Sequence, residues 1–390
     1  MHHTQSIIYV IFMIFTGTAI VSTLALFTRQ SLLVAYILIG AILGPWGLAL
    51  VNDSTAVKQA GDIGIIFLLF LLGLHLQPQN LLHSLKKMSW IALISSLIFF
   101  VIGFGVSYGF KFSLTESIII GITMMFSSTI IGLKLLPTTI LHHQHTGELM
   151  ISVLLLQDLI AIAVLLVLQA VGERAFALKD LGLIVIAFPV LLSIAYLFQR
   201  FLLSRLLRLF DRIHEYIFIL SIGWCLSMAE LGHAMGLSEE IGAFIAGVTL
   251  ASNPISLYVA ESLKPLRDFF LVIFFFTIGA GFNFGYLPDV IWPAAILALL
   301  MLIVKPFVFN WLLRRSGENK TISWEIGVRL GQISEFSLLV IFLALQTKLV
   351  SPATNYMVQA ATILTFIVSC YWVVIRYPTP LATSEKLRRD

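Results

Sequence analysis

Apolar residues run through this chain in long stretches separated by short polar connections. A stretch of about 17–25 such residues suffices for a helix to cross the hydrocarbon layer of a membrane. Reading the chain that way predicts thirteen spans, near 5–27, 31–51, 61–77, 87–110, 114–136, 146–171, 181–203, 214–235, 238–253, 264–285, 288–312, 322–347 and 352–375. The first run is longer than a signal-peptide core and lacks a small-residue cleavage site, so it reads as a retained helix. Residues 376–390 form a short cytoplasmic tail, and 1–390 reads as a single all-α membrane transport domain.

The two halves of this pattern match. AYILIG (35–40) falls on GAFIAG (242–247) at a spacing of 207 residues. LLFLLGLHLQPQNL (68–81) falls on FFFTIGAGFNFGYL (274–287) at 206, with Gly73 over Gly279, and FSSTIIGLKLL (126–136) falls on ISEFSLLVIFL (333–343) at 207. Three matches in one order imply a repeat over about 5–171, a linker helix at 181–203 and a second repeat over about 214–375. Six spans plus one linker is odd, so the second repeat enters from the opposite side. Such inverted repeats place a transport site near the midplane. The fifth and twelfth spans are the informative pair. The first holds Ser127, Ser128 and Thr129 at membrane depth, and the second holds Gly331, Gln332, Ser334 and Glu335. Hydroxyls and glycine loosen the helical ladder, so both are expected to be broken and to cross each other. The plainer alternative is hydroxyls bonded back to the preceding turn.

Composition agrees with the pattern. Of 390 residues 59% are hydrophobic and 11% charged, against about 25% charged in soluble domains. A large soluble enzyme is therefore excluded, and no phosphate loop, nucleophile elbow or CxxC is present. Cys225 and Cys370 lie in apolar runs and imply no disulfide framework. The net charge of +4 reflects loops facing a membrane surface, with no basic stripe for nucleic acid. Odd-numbered connections and the tail hold sixteen Lys and Arg against five on the other side. This puts the C-terminus in the cytoplasm and the N-terminus outside, as in a bacterial inner membrane.

Lys134, Lys305 and Arg329 remain at or within spans, and residues 151–168 hold one acid, Asp158. A charged side chain at that depth costs about 2.5–3.5 kcal/mol on insertion scales and marks a functional site by default. The plainer alternative is a buried Asp capped by a hydroxyl. Gln157 beside it offers an oxygen and two N–H donors without a second titrating charge. The pair suits a site where K⁺ or Na⁺ competes with a proton for one carboxylate, and exclusive occupancy is antiport. One acid implies one proton per cation, hence electroneutral exchange. Lys305 reads either as a charge balancing Asp158 or the broken-helix carbonyls, or as a lysine snorkelling to an interface. Glu335 reads as a polar partner of Arg329 or of the crossing region before it reads as a second ion ligand. The HHQH run (His142, His143, His145) and His75 read as solvated or hydrogen-bonded before they read as a pH sensor or metal ligands. The glycines at 40, 44, 47, 242 and 247 permit close helix packing.

Six stretches carry a family resemblance: GAILGPWGL (40–48), GIIFLLFLLGLHLQP (64–78), SSTIIGLKLL (127–136), VLLLQDLIAI (153–162), GLSEEIGAFIAGVTLAS (236–252) and LGQISEFSLLV (330–340). From about residue 30 to 345 the chain resembles the membrane domain of Kef-type potassium:proton antiporters, of the cation:proton antiporter superfamily. The resemblance implies thirteen helices with inverted repeats, two crossed discontinuous helices and a homodimer. It also implies an ion-binding pair at Gln157 and Asp158, polar crossing segments at Ser127, Ser128, Thr129 and at Gln332, Ser334, Glu335, and an intramembrane lysine at Lys305. No cofactor is implied. Kef-type proteins usually continue into a nucleotide-binding regulatory domain that this sequence does not reach, which leaves room for a separate regulatory subunit. His75 stands where that family has Glu, and Arg329 has no counterpart in it. Three functions stay open: antiporter, gated K⁺ efflux channel or uniporter, and non-transporting membrane sensor.

Overall fold

A computed structural model describes residues 7–28, 30–51, 54–75, 78–134, 145–172, 178–210, 213–237, 239–251, 253, 255–377 and 379. Their helices are α1 (Ile7–Phe27), α2 (Leu32–Leu43), α3 (Ser54–His75), α4 (Pro78–Gly109), α5 (Leu114–Met124), α6 (Thr129–Lys134), α7 (His145–Gly172), α8 (Leu178–Phe198), α9 (Ser204–Leu209), α10 (His214–Ala234), α11 (Glu239–Ala251), α12 (Ser256–Ala280), α13 (Leu287–Arg315), α14 (Lys320–Arg329), α15 (Glu335–Gln346) and α16 (Pro352–Arg376). A π-helical turn, Gln199–Leu203, joins α8 to α9, and a 3₁₀ turn, Phe284–Tyr286, leads into α13.

Each of the thirteen predicted spans meets one helix or one interrupted helix. The fifth is α5 and α6, the seventh is α8, the π turn and α9, and the twelfth is α14 and α15. Among the described residues six helical stretches are long and apolar enough to cross a membrane, including Ile8–Phe27, Met88–Gly109 and Pro352–Arg376. Shorter apolar helices include Leu114–Met124 and Glu335–Gln346, which are arms of the two broken spans. Predicted boundaries shift by seven residues or more at four helix ends, two of them the starts of α3 at Ser54, expected at 61, and of α4 at Pro78, expected at 87. The second span was expected to reach 51, yet α2 stops at Leu43, where Gly44, Pro45 and Gly47 turn the chain and Ala49 takes a φ of 54°. The tenth begins at Ser256, eight residues before the predicted 264, because a helix accommodates polar residues outside the apolar run.

The helix bounds carry the repeat. α10 starts and ends 207 residues after α1, and α11 starts 207 after α2. The chain forms two compact units. One comprises residues up to Ala19, Tyr36–Leu82 and Gln169–Gly281, and in it α3 packs along α11 and α12. The other comprises Ile20–Ala35, His83–Leu168 and residues from Phe282 onward, and in it α13 packs along α14 and α16.

Within each unit one backbone contact occurs twice. A Cβ on Gly73 would stand 2.5 Å from the Phe244 carbonyl oxygen, and one on Gly279 would stand 1.9 Å from that of Ile37. In the other unit a Cβ on Gly121 would meet the Phe100 carbonyl oxygen at 2.9 Å, and one on Gly327 would meet that of Pro306 at 2.6 Å. Glycines and partners are spaced 206 or 207 residues apart in both cases. Helices in lipid associate through close packing rather than water exclusion, and absent side chains permit it. Gly279→Ala is therefore expected to lower stability by about 1–3 kcal/mol, the cost of overpacking. Gly223→Ala, whose added Cβ would meet no described atom beyond its own helix within 4 Å, is expected to be neutral or stabilising. Thermal unfolding of the two purified variants in detergent checks this.

Candidate ion-binding site

A helix that stops inside a membrane leaves N–H and C=O groups with no partner from lipid, so side chains must supply them. The structure shows how this is done at both breaks. α6 is capped by Ser128, whose Oγ accepts from the Ile131 N–H at 3.1 Å, and α15 by Ser334, whose Oγ accepts from the Phe336 N–H at 3.1 Å. Serine is among the best N-caps. The remaining groups reach across to α7 and α16. Gln157 Oε1 accepts from the Ser127 N–H at 3.0 Å while its Nε2 donates to the Met125 carbonyl at 3.2 Å. Thr365 Oγ1 accepts from the Ile333 N–H at 3.1 Å.

Lys305, on α13, joins the breaks. Its Nζ donates to the Phe126 carbonyl at 2.5 Å and to the Gln332 carbonyl at 3.1 Å, with Ser127 Oγ at 3.4 Å. The side chain is fully buried and its Nζ lies 5.1 Å from the Phe99 ring centroid, so it does not snorkel. Gln332 adds to the contact: its Oε1 accepts from Ser369 Oγ at 2.9 Å and its Nε2 reaches the Ser128 carbonyl at 3.4 Å. Ser337 Oγ donates to the Thr123 carbonyl, tying α15 to α5. The two broken helices therefore cross, as expected. The register is corrected by one residue. Phe126 and Gln332 share the lysine, and Ser128 and Ser334 are both caps, so the spacing here is 206 and not the expected 207. Hydropathy cannot tell one serine from its neighbour, whereas capping can.

Asp158 lies one residue beyond Gln157 on α7 and is 1% exposed. Thr129 Oγ1, at the first position of α6, donates to its Oδ1 and Oδ2 at 3.4 and 3.3 Å. Glu335, at the first position of α15, lies within electrostatic reach of the same carboxyl group. Ser127, Ser128, Thr129, Gln157, Asp158, Lys305, Gln332, Ser334 and Glu335 thus gather in one unit around the crossing. Arg329, at the end of α14, bonds Glu325 through Nε and Nη2 at 2.9 Å and lies 5.5 Å from the Tyr377 ring. Glu325, Thr365 and Ser369 escaped the sequence analysis. So did Glu116, whose carboxylate completes a capping box with Ser113 and accepts from the Ser351 N–H and Thr354 Oγ1 of α16. Its S-x-x-E spacing was the available signal. His142 and His143 lie outside the described residues, as do the side chains of His75, His145 and Lys134. Among the described residues no three His, Cys, Asp or Glu side chains cluster so as to hold a metal ion.

An all-helical membrane fold in which two broken helices cross beside a buried carboxylate has the plan of a secondary transporter. The sodium/hydrogen exchanger transmembrane family model matches residues 11–375, and the chain belongs to that family: it is a transporter exchanging a monovalent cation for protons, and not an enzyme. It is 26% identical over 347 residues to the iron transporter MagA of Paramagnetospirillum magneticum, covering 88% of this chain and 80% of that one. It is likewise 26% identical to K(+) efflux antiporter 6 of Arabidopsis thaliana, covering 87% of this chain, and it spans 58% of the length of that relative. Its fold is similar to that of the sodium proton antiporter MjNhaP1 from Methanocaldococcus jannaschii, with a TM-score of 0.68 and 16% identity over 93% of this chain and 95% of that one.

Gln157→Leu would leave the Ser127 N–H and the Met125 carbonyl unpartnered in apolar surroundings, and is expected to cost about 1–3 kcal/mol. Ser96→Ala removes a buried hydroxyl that has no partner among the described residues and is expected to cost nothing measurable. Thermal unfolding in detergent compares them.

Proposed function

We propose that this protein exchanges K⁺, or Na⁺ as the alternative, for protons by alternating access at Asp158. The observation that carries the reading is a fully enclosed carboxyl group whose one described hydrogen-bond donor, Thr129, belongs to the crossing. A carboxylate so placed needs a positive partner, and a proton and a dehydrated cation both serve. They cannot occupy it together, and that exclusion couples the two fluxes. Thr129 fits both states, since a hydroxyl donates to a carboxylate or turns a lone pair towards an ion. Gln157 holds the break open beside the site, and a further lone pair on its oxygen is available to the cation. Oxygen-only donors suit a hard alkali ion. The K(+) efflux antiporters among its relatives support K⁺ as the first cation to test. On this reading Lys305 keeps positive charge at the crossing when the cation leaves, and one proton moves per cation. The excess of Lys and Arg on one side supports a cytoplasmic C-terminus.

The test is cation-dependent proton flux in proteoliposomes with a trapped pH dye. K⁺ or Na⁺ is expected to drive flux in the wild type and none in Asp158→Asn. Thr129→Val is expected to raise the half-saturating cation concentration about threefold to tenfold, the worth of one neutral hydrogen bond. An imposed membrane potential is expected to leave the rate unchanged. Flux that survives Asp158→Asn moves the site to Glu335. Cation flux that runs with no proton counterflux makes the protein a gated channel or uniporter instead.

A further inference from the structure

The shell around the Lys305 ammonium resembles that of a coordinated ion. Carbonyl oxygens of Phe126 and Gln332 lie at 2.5 and 3.1 Å, the Ser127 hydroxyl at 3.4 Å, and the Phe99 ring centroid at 5.1 Å. These are neutral oxygens and a π face, the groups with which proteins replace the water of a monovalent cation. The two carbonyls come from equivalent positions, one in each break, and both dipoles aim at one point. Such dipoles repel each other unless positive charge lies between them.

We propose that Lys305 is a tethered cation filling a latent monovalent-cation site between the two breaks, so that removing its side chain opens a second site for K⁺ or Rb⁺. The tether holds the crossing together without competing ions and confines the transported cation to the acidic side. The inference rests on the shell alone, and the reading of Asp158 enters only in keeping the two sites apart in the test. Phe99 stands at the equivalent position of the first repeat, 206 residues earlier, so one ammonium serves both breaks.

The test uses an Asp158→Asn background, in which the acidic site is disabled, and reads unfolding temperature while KCl or RbCl replaces choline chloride at constant ionic strength. In Asp158→Asn/Lys305→Ala the unfolding temperature is expected to rise saturably by about 5 °C or more, as for a ligand that binds the folded state. Asp158→Asn alone, with the tether present, is expected not to respond. Asp158→Asn/Lys305→Met, whose side chain fills the space without charge, is expected to be destabilised and equally unresponsive. Equal responses with and without Lys305, or none in the alanine variant, overturn the proposal. Lys305→Ser, whose hydroxyl adds an oxygen to the shell, is the second variant. If neither small variant yields monodisperse protein when prepared throughout in K⁺, the shell does not accept an untethered ion and the proposal falls. Loss of flux in Asp158→Asn plays no part in these outcomes, so a misplaced transport site and a mistaken tether are told apart.

Discussion

Lipid offers no hydrogen bonds, and from that constraint the centre of this protein follows. A helix broken in the membrane exposes N–H and C=O groups that together cost more than any single contact regains, unless each finds a partner. Here the partners are a serine cap at each restart, Gln157 and Thr365 from the flanking helices, and one lysine spanning both breaks. Lys305 is the costliest member to bury and the one that no neutral residue replaces, because two carbonyls converge on it. Without it the Phe126 and Gln332 carbonyls would face each other unpaired, and only the weaker Gln332-to-Ser128 contact and the Ser337-to-Thr123 bond would hold one broken helix against the other.

The same constraint distributes the work along α7. Successive residues of a helix project about 100° apart, so Gln157 and Asp158 face different neighbours. The glutamine grips the backbone of the first break, and by doing so brings Thr129 up to the carboxyl group of the next residue. Holding the break and presenting the acid are thus one structural act. Replacing the glutamine disturbs the acid through geometry even though the acid itself is untouched.

Repetition supplies the scaffold and departure from it supplies the chemistry. The glycine contacts and the helix caps recur with a spacing of 206 or 207 residues, as expected of a duplicated framework whose halves face the same packing demands. The charged groups do not recur. Asp158 in one half answers to Thr365 in the other, Lys305 to Phe99, and Glu335 to Thr129. A fully symmetric centre would place a second lysine at the Phe99 position, whose ring centroid lies 5.1 Å from the Lys305 Nζ, where like charges in a low dielectric repel strongly. Neutral partners at the equivalent positions avoid this and still cap the backbone, as Thr365 does.

Much of this was legible in the residues alone. The spans could be counted because only long apolar helices satisfy themselves in lipid, and the two breaks could be located because hydroxyls and glycine at membrane depth weaken the ladder. The expense of an intramembrane acid singled out Asp158. What the linear order could not supply was pairing. Whether Lys305 snorkels or joins two breaks depends on where residues 179 and 27 positions away come to rest. Glu325 as the partner of Arg329, Glu116 as a cap shared with α16, and the one-residue change of register likewise depend on which atoms meet. Hydropathy is a property of each segment and survives in the sequence. Hydrogen-bond partnership is a property of folded neighbours, settled by distances of a few tenths of an ångström, and the tertiary structure alone decides it.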